Sequence, residues 1–159
     1  MFQLHKFQPG INPDWNPHVT VAALVERDGR FLMIEESCNG RIVVNQPAGH
    51  LEEGESLQEA LVRETLEETA WSVCPEAITG LYQWRNPRNG KTYLRVGFAA
   101  RCLRRHEREL DSGILRAMWL SRDEILQRAH QLRSPMVMQC IDDYLDGRRF
   151  PLEFVQHMS

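Results

Sequence analysis

Apolar residues fall in short β-rich runs along the first third of the chain, at helical spacing through one long stretch, and again in β-rich runs before two final helices. His18 to Glu26 is rich in β-formers, and Arg27-Asp28-Gly29-Arg30 carries an Asp-Gly turn signal. Phe31 to Glu35 reads as the hairpin partner, Ser37 to Gly40 as a second turn, and Ile42-Val43-Val44 as a short strand. Gln46 to Gly49 leads into an acidic loop. Ser56 then caps a helix, with Glu59 completing a capping box. Beyond it, Gly80 to Trp84 and Thr92 to Ala100 are predicted strands, joined by the turn Asn86 to Gly90. A charged loop, Arg104 to Asp111, precedes a strand over Leu115 to Leu120. Ser121 and Glu124 box a further helix. The last helix, from about Ser134 to Leu145, stops at Asp146-Gly147. Pro9, Pro13 and Pro17 mark an irregular N-terminal arm, so residues 1–16 are read as arm, 17–153 as one domain and 154–159 as a tail.

The long helix carries the chemistry. Glu64, Glu67 and Glu68 stand at i, i+3 and i+4, which places them on one face, within an arc of about 100°. Like charges at this spacing destabilise a helix unless a positive partner joins them, and hard Mg²⁺ or Mn²⁺ prefers carboxylate oxygens. A solvated acidic face is the simpler alternative. Against it, Glu64 and Glu68 continue the line of Leu57, Ala60 and Leu61, while Val62, Leu66 and Thr69 form a second apolar arc. Such a helix packs on more than one side and turns its glutamates to a cleft. Arg63 is placed to brace carboxylates through its planar fork.

These residues resemble the Nudix box, G-x5-E-x7-R-E-U-x-E-E-x-G-U, where U is bulky and apolar. Gly49, Glu55, Arg63, Glu64, Glu67, Glu68 and Trp71 match it; Thr65 stands at an aliphatic position and Ala70 replaces the second glycine. That glycine ends the helix through a left-handed turn, so alanine there points to a different helix exit. The resemblance implies the α+β Nudix fold, an α/β/α sandwich with a mixed central sheet.

Composition narrows the setting. A chain of 159 residues buries a core as one domain. A formal charge of −3 offers no electrostatic case for nucleic acid or acidic membranes. The sequence shows no apolar run of transmembrane length and no signal-peptide pattern at its start. Cys38, Cys74, Cys102 and Cys140 lack metal or redox spacing and read as reduced thiols of a cytoplasmic protein. Oligomeric state is not encoded legibly, although Trp15 and the arm could serve an interface.

The resemblance further implies Mg²⁺- or Mn²⁺-dependent hydrolysis of a small phosphorylated substrate. It makes Glu64 and Glu68 metal ligands, Glu67 a third ligand or the base, and Gly49 a backbone-carbonyl ligand. Arg63 is counted with the catalytic set as the group that orients glutamates. Glu52, Glu53 and Glu55 could hold further metal through water, or Glu55 could pair with Arg63. Of the distal acids Glu109 and Asp111, Asp111 lies nearer the following strand and is the preferred metal ligand. Gln46 and His50 flank the box, Gln46 as a substrate contact and His50 as a phosphate donor or a surface residue. Trp84 is either a stacking platform for a base or core filler. Arg85, Arg88, Lys91 and Arg95 offer cations to the outer phosphates, and Arg95, inside a strand, is the best fixed.

Segments outside the box sharpen the expectation. Asn45 to Glu52, Tyr82-Gln83-Trp84, Leu132 to Pro135 and Gly147 to Glu153 are similar to a bacterial branch of Nudix phosphatases. Its members release orthophosphate from nucleoside tri- and diphosphates and from hydroxymethylpyrimidine pyrophosphate, the thiamin pyrimidine. The alternatives are a Nudix pyrophosphohydrolase acting on a dinucleotide or an RNA 5′ end, and a Nudix-fold binding module without catalysis.

Overall fold

The structure is a computed structural model and describes residues 15–158. Residues 1–14 of the expected arm therefore lie outside the described residues. Eight strands and three α-helices follow in order: β1 (His18–Leu24), β2 (Glu26–Arg27), β3 (Arg30–Cys38), β4 (Arg41–Asn45), β5 (Ala48–His50), α1 (Leu57–Thr69), β6 (Trp71–Arg85), β7 (Thr92–Arg105), β8 (Ile114–Ser121), α2 (Arg122–Gln127) and α3 (Met136–Leu145). The strands form two sheets. The first runs β5-β1-β7-β6 and is mixed, because β1 and β7 are parallel. The second is antiparallel, with β3 paired to β2, β4 and β8. Helices α1 and α3 lie on opposite faces of the first sheet, giving the expected α+β layering.

This layering explains the run of apolar residues in β1. Val21 to Leu24 are buried on both faces of the strand, as expected for a central strand covered by helices above and below. One core gathers Val21, Ala23, Val96 and Phe98 with Ala60 and Leu61 of α1. The other gathers Leu24, Phe31, Met33 and Val44 with Ile125 of α2 and Val137, Cys140 and Ile141 of α3.

The sequence under-read four elements, the first being β3, which runs on through Ser37 and Cys38, residues expected to be turn, to pair with β4. Part of the segment leading to the acidic loop is a strand, β5, pinned antiparallel to β1 through Val21 and Gly49. Strand β6 spans 15 residues and was predicted only in its last third, since Pro75 reads as a breaker. Pro75 is tolerated because β6 is a sheet edge and its register shifts between Pro75 and Ala77. Strand β7 likewise extends to Arg105, through residues expected to be loop.

Both capping boxes form as predicted, Ser56 with Glu59 and Ser121 with Glu124. The expected change of helix exit does not occur. Ala70 takes φ 62° and ψ 11°, and its N–H reaches Leu66 O. The left-handed stop is kept at a cost to alanine of about 1–2 kcal/mol. Ala70 is almost fully buried, so packing of its methyl group offsets much of that cost.

Candidate active site

The site forms where α1 crosses the β5 edge of the first sheet. Glu68 Oε2 accepts the Ala48 N–H at 2.8 Å. The Glu64 carboxyl lies directly on Gly49, where any Cβ would collide with it. Glycine is needed there for close approach, not for a special backbone angle. Two glutamates thus stitch the helix to the strand, one turn apart.

Arg63 organises the rest. Its Nε and Nη2 donate to the two Glu55 oxygens at 3.0 and 2.6 Å. Nη2 also donates to His50 O at 3.0 Å, while Nη1 reaches Glu64 at 2.8 Å and Glu67 at 3.2 Å. Glu52 completes the ring at 3.7 Å. Of the two roles open to Glu55, the structure shows the bidentate pairing with Arg63. That guanidinium holds the Glu55 carboxyl below its usual range, and its own pKa is raised in return.

One arginine does not neutralise this ring. Burial pushes Glu64 up despite its hydrogen bond to Arg63. Glu68, only 8 % exposed, is pushed up to about 9, chiefly by burial, with Glu64, Glu36 and Asp111 adding repulsion. Both glutamates are carboxyl groups short of positive charge, the condition a divalent cation relieves. Among the described residues no three His, Cys, Asp or Glu side chains already converge as a ligand set. Glu64 and Glu67 instead turn to Arg63.

Two backbone hydrogen bonds strap the segment after β7 onto α1. The His106 N–H donates to Ala70 O at 2.8 Å, and the Asp111 N–H donates to Glu67 O at 2.9 Å. Asp111 is thereby brought near Glu64 and Glu68, while Glu109 stays on the exposed part of the strap. Glu36 of β3 also faces Glu68 and pairs with Arg133 at 3.3 Å. Neither Glu36 nor Arg133 was singled out as a site residue. Their spacing in the chain carries no signal, and only the β3–β4–β8 sheet brings them to the site.

The expected substrate contacts divide. Gln46 is fully buried; its Nε2 donates to Val137 O at 2.7 Å, and its Oε1 accepts from Arg95 Nη1 at 3.1 Å. It is a bridge from the sheet to α3 and has no exposed surface to offer a substrate. Arg95 is 5 % exposed and points inward, its Nη2 also donating to Asn45 Oδ1 at 3.4 Å. Arg85, Arg88 and Lys91 are exposed around the β6–β7 hairpin. Trp84 is half-buried at the end of a file of rings that crosses all four strands. Trp84 lies 6.0 Å from Tyr93, Tyr93 stacks on His18 at 5.1 Å, and His18 meets His50 edge-on at 5.3 Å. The file ends at the residue after Gly49.

A mixed sheet between helices, with an Arg-braced glutamate helix pressed on a glycine strand, is the arrangement expected of the Nudix fold. The NUDIX domain model matches residues 16–140, and the chain belongs to the Nudix family. Among curated proteins, Phosphatase NudJ of Escherichia coli K12 is 42 % identical over 146 residues, spanning 89 % of this chain and 92 % of that protein. A solved NUDIX hydrolase from Nitrosomonas europaea is 49 % identical over 90 % of this chain and 98 % of its own, with a TM-score of 0.88. The bifunctional NMN adenylyltransferase/ADP ribose pyrophosphatase of Francisella tularensis, solved with AMP and a manganese ion, shares the fold at TM-score 0.67 and 21 % identity, over 85 % of this chain and 43 % of that one. The chain is a Nudix hydrolase of the phosphatase and pyrophosphohydrolase kind, a family that uses divalent metals on small phosphorylated substrates. No described helix is long and apolar enough to cross a membrane.

Proposed function

We propose that residues 17–153 carry a phosphatase that releases orthophosphate from nucleoside tri- and diphosphates and from hydroxymethylpyrimidine pyrophosphate. One observation carries the metal-dependent part: Glu64 and Glu68 are withdrawn from water at the β5 edge with their carboxyl pKa values raised. The phosphatase part is supported by likeness to proteins named Phosphatase NudJ.

Mg²⁺ or Mn²⁺, when bound, neutralises phosphate oxygens and lowers the pKa of a water. Glu64 and Glu68 are the residues that hold it, with Gly49 lending its backbone carbonyl and Asp111 approaching from the strap. Glu67 acts as third ligand or as the base that takes the water proton. Arg63 keeps these carboxylates in position from behind and does not touch phosphate. Arg133, half-exposed and paired to Glu36, offers a cation to the phosphate tail. Trp84 and Tyr93 offer ring faces to a base.

Product identification tests the reading. A panel of nucleoside triphosphates and hydroxymethylpyrimidine pyrophosphate should yield orthophosphate with Mg²⁺ and nothing in excess chelator. A nucleoside monophosphate plus pyrophosphate from the triphosphates would replace the phosphatase reading with that of a pyrophosphohydrolase.

A further inference from the structure

Two adjacent acids of β3 are held in different ways. Glu35 and Glu36 point to opposite faces of their sheet, as successive strand residues do, and the register with β8 shifts between them. Glu35 is closed off. Its two oxygens accept from Arg116 at 2.7 and 3.1 Å, and Oε1 also accepts from Arg128 at 2.9 Å. Glu36 has one ion pair among the described residues, with Arg133 at 3.3 Å. Both members of that pair are tied to the candidate site by main-chain bonds. The Ser37 N–H donates to Gly113 O at 2.8 Å, which fastens the Glu36 end of β3 to the strap that carries Asp111. The Arg133 N–H donates to Val44 O at 2.9 Å, four residues before the Ala48 that holds Glu68. The Glu36 charge reaches Glu68, and the Arg133 charge reaches His50.

Magnitudes separate this pair from the other arginine contacts of the cleft. Arg133 is 40 % exposed and its contact with Glu36 is single and not short, the kind of pair that adds little to stability. Phosphate oxygens compete well for such a guanidinium, because Arg–phosphate hydrogen bonds are charge-assisted and match its fork. Arg63 is not exchangeable in this way, since four carboxylates hold it. Arg95 also feels the Glu36 charge, but its guanidinium is tied to Gln46 and Asn45 in the interior. Arg133 is the partner that can leave.

We infer that Glu36 is a positioning residue that couples phosphate binding to cation binding. It holds Arg133 at the cleft until a phosphate takes that guanidinium, and its released carboxylate then adds to the negative charge that Glu68 presents. The inference rests on the phosphoanhydride and its cation lying at Glu64 and Glu68. Coupling of this kind is reciprocal, so a cation beside Glu68 in turn favours Arg133 on phosphate.

The test is the Mn²⁺ affinity of the full chain, measured by calorimetry at matched free Mn²⁺, with and without methylenediphosphonate, a pyrophosphate analogue that resists hydrolysis. The analogue touches the cation directly and tightens Mn²⁺ in every variant, so the readout is the difference between variants. Glu36→Gln should weaken Mn²⁺ about twofold without the analogue, where Arg133 engages the carboxylate, and about tenfold with it. Arg133→Gln frees Glu36 from the start. Mn²⁺ should then bind severalfold more tightly without the analogue, and the analogue should add less than it does in the wild type. Arg133→Lys keeps the charge but loses the fork and should fall between. Glu36→Gln and Arg133→Lys preserve the shape of the pair, and their melting temperatures should stay near that of the wild type. An equal Glu36→Gln penalty with and without the analogue would overturn the inference and make Glu36 a fixed charge. A nucleoside monophosphate plus pyrophosphate from a triphosphate would instead defeat the phosphatase reading and leave the unequal penalty in place, since either reaction presents phosphate oxygens to Arg133.

Discussion

Arg63 and Arg95 are both drawn away from water, and they are solvated in opposite ways. Arg63 stands among Glu52, Glu55, Glu64 and Glu67, while Arg95 meets two amide oxygens and a thiol. Around Arg63 negative charge is in excess, and the region calls for a cation. Around Arg95 the Nη donors are already held by Gln46 and Asn45, with Glu36 as a nearby counter-charge. A paired arginine is a brace. Arg95 is instead a buried link between β7 and the Asn45–Gln46 segment.

The largest effect that would break this contrast is on turnover. Glu64→Gln and Glu68→Gln each keep the shape but lose the charge that holds a cation, and each should cut turnover by about 10²-fold or more. The fold should remain, as monitored by circular dichroism. Glu59→Gln, on the exposed capping side of α1, should leave turnover nearly unchanged. Equal behaviour of the three variants would return the cluster to a solvated face.

Next in size is Arg63→Met. Leaving buried carboxylates unpaired costs about 3–5 kcal/mol, trimmed here because the Arg63 side chain is 23 % exposed. Chemical denaturation should show a loss of about 2–3 kcal/mol, and Arg63→Lys should recover only part of it, since an ammonium cannot bridge Glu55 bidentately. A neutral Arg63→Met would mean that the ring of carboxylates does not depend on its brace.

Trp84→Ala should raise KM for base-containing substrates by an amount equivalent to about 1–3 kcal/mol. Its kcat should change little, because the lost contact is common to ground and transition states. Trp84→Phe should restore most of the loss. A lowered melting temperature with uniform loss on every substrate would assign Trp84 to packing instead.

A smaller effect separates surface pairing from both regions. Arg116 and Arg128 hold the Glu35 carboxyl below its ordinary value. A depressed folded pKa means that this stabilisation is complete above the ordinary carboxylate range and is lost as pH falls through the folded value. Glu35→Gln should therefore lower stability at neutral pH and shrink the wild-type advantage in acid. A constant offset down to pH 3 would refute the linkage. Smallest of all, Ala70→Gly relieves the left-handed turn but removes a buried methyl group, and its net effect in denaturation should stay within about 1 kcal/mol.

Sequence legibility follows the distance over which each contact is made. Helix α1, both capping boxes and the shared face of Glu64, Glu67 and Glu68 were readable because helical geometry fixes them locally. Gly49 was readable through the spacing of the box. Strand β6 was hidden by Pro75, since a sheet edge with a bulge excuses a residue that a central strand would reject. Ala70 misled for a related reason, as local propensity opposes φ > 0 and tertiary packing overrides it. Gln46 and Arg95 were both picked as substrate contacts, but their direction depends on a mutual bond between residues 49 apart in the chain. Glu36 and Arg133 were missed because only sheet pairing places them.

The strap between β7 and β8 has a consequence for how such an enzyme diversifies. It is anchored to α1 by main-chain atoms at His106 and Asp111, so the position of Asp111 relative to Glu67 is indifferent to the side chains in between. Glu107, Arg108 and Glu109 are exposed and free to be exchanged. Selection can rewrite the rim of the cleft, residue by residue, while the acid that faces the glutamates keeps its address.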